Sequence, residues 1–299
     1  MSRFDTYLIV DWSAAKRPVR GPDSIWWALR RRSGGLQAIG NPTTRAEAID
    51  TLAHLMAAEA DLGHRVLVGF DFPFGYPAGF AARVTGTDRA LSLWDWLSDQ
   101  VEDAPDNANN RFDVAARLNA LFEGAGPFWG RPAALTSDIP ERKTGIVYDP
   151  LAERRIVEHR QRSAQPTWKL FTTGSVGSQV LLGLPALNRL RRDRRLDGRV
   201  AVWPFETGLD SPDADVVIAE IYPSLLNEAV AARRTPGEVK DRAQVRVNAA
   251  AFAALDAAGG LDPLFAGPGD LDPPQRRMVE TEEAWILGVG FEDRLREVA

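Results

Sequence analysis

Four carboxylates stand where they could do chemistry. Asp11 ends the apolar run TYLIVD and Asp71 ends the run RVLVGFD. Glu220 lies in DVVIAEIYP, and Glu283 opens the apolar part of EEAWILGV, with Glu206, Glu280 and Glu282 as competitors for the third and fourth places. An acid at the end of a buried strand costs free energy unless it is paired or bound to a metal. Several acids converging on one crevice repel one another, and their pKa values rise. A hard divalent cation, Mg²⁺ or Mn²⁺, removes that repulsion; Mg²⁺ takes one or two carboxylates and fills its other positions with water and phosphate oxygens. The expected chemistry is metal-assisted hydrolysis of a phosphodiester. Asp11 and Asp71, with one or both of Glu220 and Glu283, are the predicted catalytic and metal-binding residues.

Other residue types narrow the choice. There are no cysteines, which excludes thiolate nucleophiles, disulfides and cysteine-ligated zinc or iron–sulfur centres. The three histidines, His54, His64 and His159, lie far apart and form no metal-binding spacing; they read as surface or packing residues. Net charge is −5, so no global attraction to nucleic acid is expected. Cationic help must be local. Lys16 follows Asp11 by five residues, and Lys169 precedes TTGSVGSQ. There Thr172, Thr173, Ser175 and the N–H groups of a helix start could cradle an anion, although no GxxxxGK[ST] loop exists. Arg189, Arg191, Arg192, Arg194, Arg195 and Arg199 crowd one stretch that either holds phosphate or forms a solvated helix end.

The elements that position these groups follow from periodicity. TYLIVDWSA reads as a buried strand, and SIWWALRRRS and GLQAIG as two antiparallel strands joined at SGG. NPTTRAEAIDTLAHLMAAEADLG is a helix, with Thr44 and Glu47 as a capping box and Ile49, Leu52, Ala53, Met56 and Ala60 on one face. RVLVGFDFPFGYP is a second buried strand. A meander followed by a right-handed helical crossover returns this fourth strand parallel to the first. Asp11 and Asp71 then sit side by side at the strand ends where ligands bind in open α/β sheets.

Residues 80–168 break the regularity and read as an insertion over the sheet edge. It is partly helical around RALSLWDWLSDQ and DVAARLNALF, with Trp94, Trp96, Phe128 and Trp129 packing it. Beyond it, TTGSVGSQVLLGLPALNRLRR is a helix bent at Pro185. RVAVWPFE and DVVIAEIYP are strands, and VKDRAQVRVNAAAFAALDAAGG is a helix with Val245, Ala249, Phe252 and Ala253 inward, stopped by Gly259-Gly260. RRMVETEEAWILGVGFEDRL is expected as the last helix. The chain of 299 residues is thus expected as one domain, 1–299, enclosing the insertion.

The segments VDWSAAK, GFDFPFGYP, AEIYPSLL, VKDRAQVR and EEAWILGV together resemble the family of predicted ribonuclease H-like nucleases called domain of unknown function 429. The resemblance implies an α/β, ribonuclease H-like mixed sheet flanked by helices, with a large insertion after the fourth strand. It implies metal-binding roles for Asp11, Asp71, Glu220 and Glu283, the last standing where the family has aspartate. A basic helix would present Lys240 and Arg246, with Arg242 as competitor, to substrate phosphate. Substrate-binding candidates are therefore Lys16, Lys169, Thr173, Ser175, Lys240 and Arg246. The implied partner is nucleic acid or a phosphorylated small molecule.

Two other classes fit the same residues. An actin-like or sugar-kinase-type phosphotransferase would use Asp11 and Ser13 in a phosphate-binding hairpin. A non-catalytic binder of an anionic metabolite or protein partner is favoured if the four carboxylates do not converge. The acidic Asp5 at the start of the first apolar run speaks against a signal peptide, and no apolar run is long enough to span a bilayer. A cytoplasmic protein with no membrane partner is expected.

Overall fold

The computed structural model describes residues 2–299. Six strands form one mixed sheet: β1 (Thr6–Asp11), β2 (Trp26–Arg31), β3 (Gly35–Gly40), β4 (Val66–Phe70), β5 (Val200–Val202) and β6 (Val216–Glu220). Their order is β3-β2-β1-β4-β6-β5. β1, β2 and β3 are the antiparallel meander, while β4 lies parallel to β1, and β6 and β5 continue the parallel half. The crossover from β3 to β4 is helix α1 (Arg45–Asp61). Its predicted face of Ile49, Leu52, Ala53, Met56 and Ala60 is buried. Thr44 caps it through the Glu47 N–H, but the Glu47 carboxylate turns to the Thr43 N–H and hydroxyl rather than closing a capping box.

Side chains alternate across a strand, and here the alternation sorts two cores. Leu8, Val10, Val66, Val68, Phe70, Val216 and Ile218 face one apolar layer with α1. Tyr7, Ile9, Leu67, Val217, Ala219 and Ile221 face the other. The first layer is completed by helix α2 (Phe80–Thr85), α3 (Ala90–Gln100), α4 (Arg111–Asn119) and α6 (Gly177–Arg191). Residues 80–168 belong to this layer: Phe80, Trp94, Phe112, Phe128 and Trp168 share its core, with α3 and α4 packed on α6. The short α5 (Ile156–Arg160) lies near the end of that region. α6 runs through Pro185 without interruption.

The second layer is built on α8 (Lys240–Ala257), which follows α7 (Asn227–Arg233) and packs across β1 and β2 with Val245, Ala249, Phe252 and Ala253 buried. Gly259, at φ +71°, ends it by donating its N–H to Asp256. α9 (Asp262–Ala266), α10 (Pro273–Met278) and α11 (Glu292–Val298) complete the chain.

The expected last helix is not continuous. A π-helical turn, Val279–Glu283, follows α10, and Ala284 reverses the chain at φ +63°. Ile286 then bridges to Glu220 and Leu287 donates its N–H to the Glu220 carbonyl at 2.8 Å. The run AWILGV is buried: Ile286 bridges β6, and Leu287–Gly290 form a turn with Gly288 and Gly290 at positive φ before α11.

Candidate active site

β1 and β4 pair in register from Thr6 with Val66 to Val10 with Phe70. Asp11 and Asp71 are the next residues on each strand, so their Cα atoms stand about one strand spacing apart, roughly 4.8 Å. Both belong to the side-chain row of the second layer, below α8. The Trp12 N–H donates to Asp71 Oδ1 at 2.7 Å and orients that carboxylate. Among the described residues no Lys, Arg or His forms an ion pair with Asp11 or Asp71. Burial pushes the Asp11 pKa well up, and the charge of Asp71 raises it further, followed by Asp241 and Asp23; Lys240 offsets only part of this. Asp71 is pushed up to about 7, by burial first; the Trp12 N–H opposes the rise, and Asp241 adds to it.

Asp241 was not among the predicted acids. It sits in the first turn of α8, where acidic residues are common because they suit the helix dipole, and that ordinary explanation hides it in the sequence. The packing of α8 on β1 and β2 brings it to Asp11. Its Oδ2 accepts the Asp23 N–H at 2.8 Å, and the Ser13 hydroxyl donates to the Asp23 carbonyl at 2.9 Å. The loop from Trp12 to Ile25 is thereby folded back over the strand ends. Burial also raises the Asp241 pKa, against the opposing Asp23 N–H.

Glu220 and Glu283 do not join the pair. Glu220 is register partner of Phe70, one residue short of Asp71, so the pleat turns it to the first layer; Ile221 occupies the place beside Asp71. There Arg155 grips it with two hydrogen bonds, Nη2 to Oε1 at 2.7 Å and Nη1 to Oε2 at 2.8 Å. Glu283 accepts the N–H groups of Ala78 at 2.9 Å and Ile156 at 2.6 Å, and burial raises its pKa against the opposing Ile156 N–H. Of the competitors, Glu206 holds Arg191, Glu280 holds Arg276, and Glu282 accepts the Gly79 N–H. Of the acids named from the sequence, Asp11 and Asp71 are neighbours, and the charge of Asp241 reaches Asp11 from α8.

The predicted cations divide similarly. Lys240 is exposed at the start of α8, beside Asp11. Arg246 and Arg242 both bind the buried Glu238. Lys16 lies over the Phe112 ring, 5.0 Å from its centroid. Lys169 donates to the Thr173 carbonyl at 2.6 Å, so its charge is turned into its own loop. That loop does border the site: Val176 and Asp71 line one crevice of about 30 Å³, and Gln179 donates to the Trp12 carbonyl at 2.7 Å. Thr173 is exposed and Ser175 half-buried on it. The arginine cluster lies at the opposite end of the 15-residue α6, about 22 Å away by helical rise, near the beginning of β5. Arg191, Arg192, Arg195 and Arg199 there are held by Glu206, Asp95, Asp193, Asp50, Asp61 and Asp215.

No three His, Asp or Glu side chains among the described residues enclose a common point closely enough to cage an ion. Asp11 and Asp71 remain as two carboxylates without an ion pair, and a hard cation that keeps its waters needs only one or two carboxylates. No helix among the described residues is long and apolar enough to cross a membrane. No family model, curated protein or solved structure matches the chain.

Proposed function

We propose that the protein is a Mg²⁺- or Mn²⁺-dependent hydrolase of phosphodiester bonds, nuclease-like, on a ribonuclease H-like core. One observation carries the reading: two unpaired carboxylates, Asp11 and Asp71, side by side at parallel strand ends, with Asp241 arriving from α8. The antiparallel meander, helical crossover and parallel fourth strand support the ribonuclease H-like assignment and the family resemblance. A bound divalent cation would supply positive charge to phosphodiester oxygens and acidify water. Asp11 and Asp71 would hold it, with Asp71 kept in orientation by the Trp12 N–H. Asp241 adds the third negative charge and anchors the loop above the pair. Lys240, beside Asp11, would meet substrate oxygens, as would Thr173 and Ser175 on the loop before Val176.

The test is Mn²⁺ titration calorimetry together with cleavage assays on single-stranded DNA, RNA and a hybrid. Asp11→Asn and Asp71→Asn should each remove Mn²⁺ binding and cleavage, and Asp241→Asn should weaken both. If the wild type cleaves none of these substrates and Asp11→Asn leaves Mn²⁺ affinity unchanged, the reading is wrong. A second reading is favoured by the dispersal of Glu220 and Glu283: a binder of a phosphorylated metabolite that performs no cleavage. Metal-dependent retention of such a ligand without hydrolysis would select it.

A further inference from the structure

Asp71 is followed by eight residues, FPFGYPAG, that run without regular structure to α2. A loop of that kind would ordinarily leave the acid before it loosely held. Here three glutamates hold its backbone. The Phe74 N–H donates to Glu220 Oε2 at 2.9 Å, the Ala78 N–H to Glu283 Oε1 at 2.9 Å and the Gly79 N–H to Glu282 Oε2 at 2.8 Å. Trp94 Nε1 donates to the Phe74 carbonyl at 2.8 Å. Gly75 lies so close to the Glu282 carbonyl that any Cβ there would overlap it.

Glu220 depends on Arg155. The side chains of Arg155 and Glu220 are only 1% and 2% exposed, and a lone carboxylate there would carry a large desolvation cost. Besides its two bonds to Glu220, Arg155 donates Nε to Glu158 at 2.8 Å and Nη1 to the Glu283 carbonyl at 2.7 Å. Burial works against the guanidinium charge, but Glu220 and Glu158 outweigh it and keep the group protonated. Arg155, Glu220 and Asp71 also line the same small crevice. The connection is short: Arg155 fixes Glu220, Glu220 fixes the Phe74 N–H, and Phe74 lies three residues after Asp71.

We propose that Arg155, carried by the segment between β4 and α6, is a positioning residue for Asp71, acting through Glu220 and Phe74. Its role in catalysis rests on the hydrolase reading, whereas its effect on Asp71 does not. A buried ion pair is weak evidence of stability, since apolar residues of similar volume often stabilise as well. What the planar fork of an arginine adds is orientation: two parallel bonds fix the carboxylate plane, which a lysine cannot do. Groups that orient metal-binding side chains in this way typically change metal affinity about 10–100-fold when removed.

Two full-chain variants test this. Arg155→Lys keeps the charge and loses the fork, and Arg155→Met with Glu220→Gln removes both charges, so no unpaired ion is buried. Amide hydrogen exchange on the metal-free protein follows the Trp12 N–H, which Asp71 accepts, and the Phe74 N–H, with Leu8 in the middle of β1 as the control. Both variants should speed exchange at Trp12 and Phe74 about tenfold relative to Leu8, and weaken Mn²⁺ binding by a similar factor. Wild-type exchange at Trp12 in the folded double variant would overturn the proposal. If Arg155→Lys does not fold, the charge-neutral double variant decides alone. If the wild type binds no Mn²⁺, the hydrolase reading falls, while the exchange at Trp12 still decides whether Arg155 positions Asp71.

Discussion

The molecule holds two groups of buried or half-buried acids, and only one of them contains a guanidinium. Arg155 gives guanidinium hydrogen bonds to the buried Glu158 and Glu220, while Glu282 and Glu283 accept backbone N–H groups. At the ends of β1 and β4, Asp11 and Asp71 have no ion-pair partner among the described residues, and Asp71 has only the Trp12 N–H; burial raises both pKa values, as it does those of Glu158, Glu282 and Glu283. One pleat step of the sheet separates the two environments, because Glu220 and Asp71 fall on opposite faces of neighbouring parallel strands. Acids that are satisfied build the structure. Acids left unpaired at a strand end hold free energy that a cation can release.

The largest effect that would break this contrast concerns activity. Asp11→Asn or Asp71→Asn should lower metal-dependent cleavage roughly a thousandfold or more, with the metal-free melting temperature unchanged or raised. A marked loss of metal-free stability in either variant would mean that the pair is structural after all. Removing a member of the satisfied group should act the other way. Glu220→Ala leaves Arg155 short of its main partner, and the cost expected is about 3–5 kcal/mol, seen as a fall of roughly 6–15 °C in melting temperature.

The pH dependence sharpens the comparison. The folded pKa of Asp71 is raised from its ordinary value of 3.8 to about 7, so ionisation opposes folding. Its favourable contribution is complete below the unfolded pKa and is lost as pH rises towards the folded one. In the absence of divalent ions, Asp71→Asn should therefore gain on the wild type between about pH 4 and pH 7, by a few degrees in melting temperature, and the gap should level off above that. Saturating Mn²⁺ should close the gap or reverse it, because only the wild type binds. The smallest effect is expected at the distant arginines. Arg192→Ala removes an exposed pair with Asp95, at a cost of about 0–1 kcal/mol, and should leave cleavage and its salt dependence unchanged. A strong loss of nucleic-acid binding in this variant would return that cluster to the substrate path.

Much of the frame could be read from residue order. Apolar runs that end in acids placed Asp11 and Asp71 at strand ends, and the helical period of residues 45–61 named the buried face of α1. Both signals are local: a period of two or of 3.6 depends only on neighbours in the chain. The expected final helix failed for a related reason. A fully apolar run such as AWILGV carries no period, and its path was decided by the backbone of β6, to which Leu287 bonds.

By itself the sequence determined two acids, their strands and the topology that makes those strands parallel neighbours. Only the tertiary structure decided which further groups share the face of Asp11. Glu220 was turned away by register, Asp241 was brought in by the packing of α8 across β1 and β2, and Arg155 crossed from another segment to bind Glu220. Register and packing join residues separated by tens to hundreds of positions. No local period records such pairings, because they exist only when two surfaces meet.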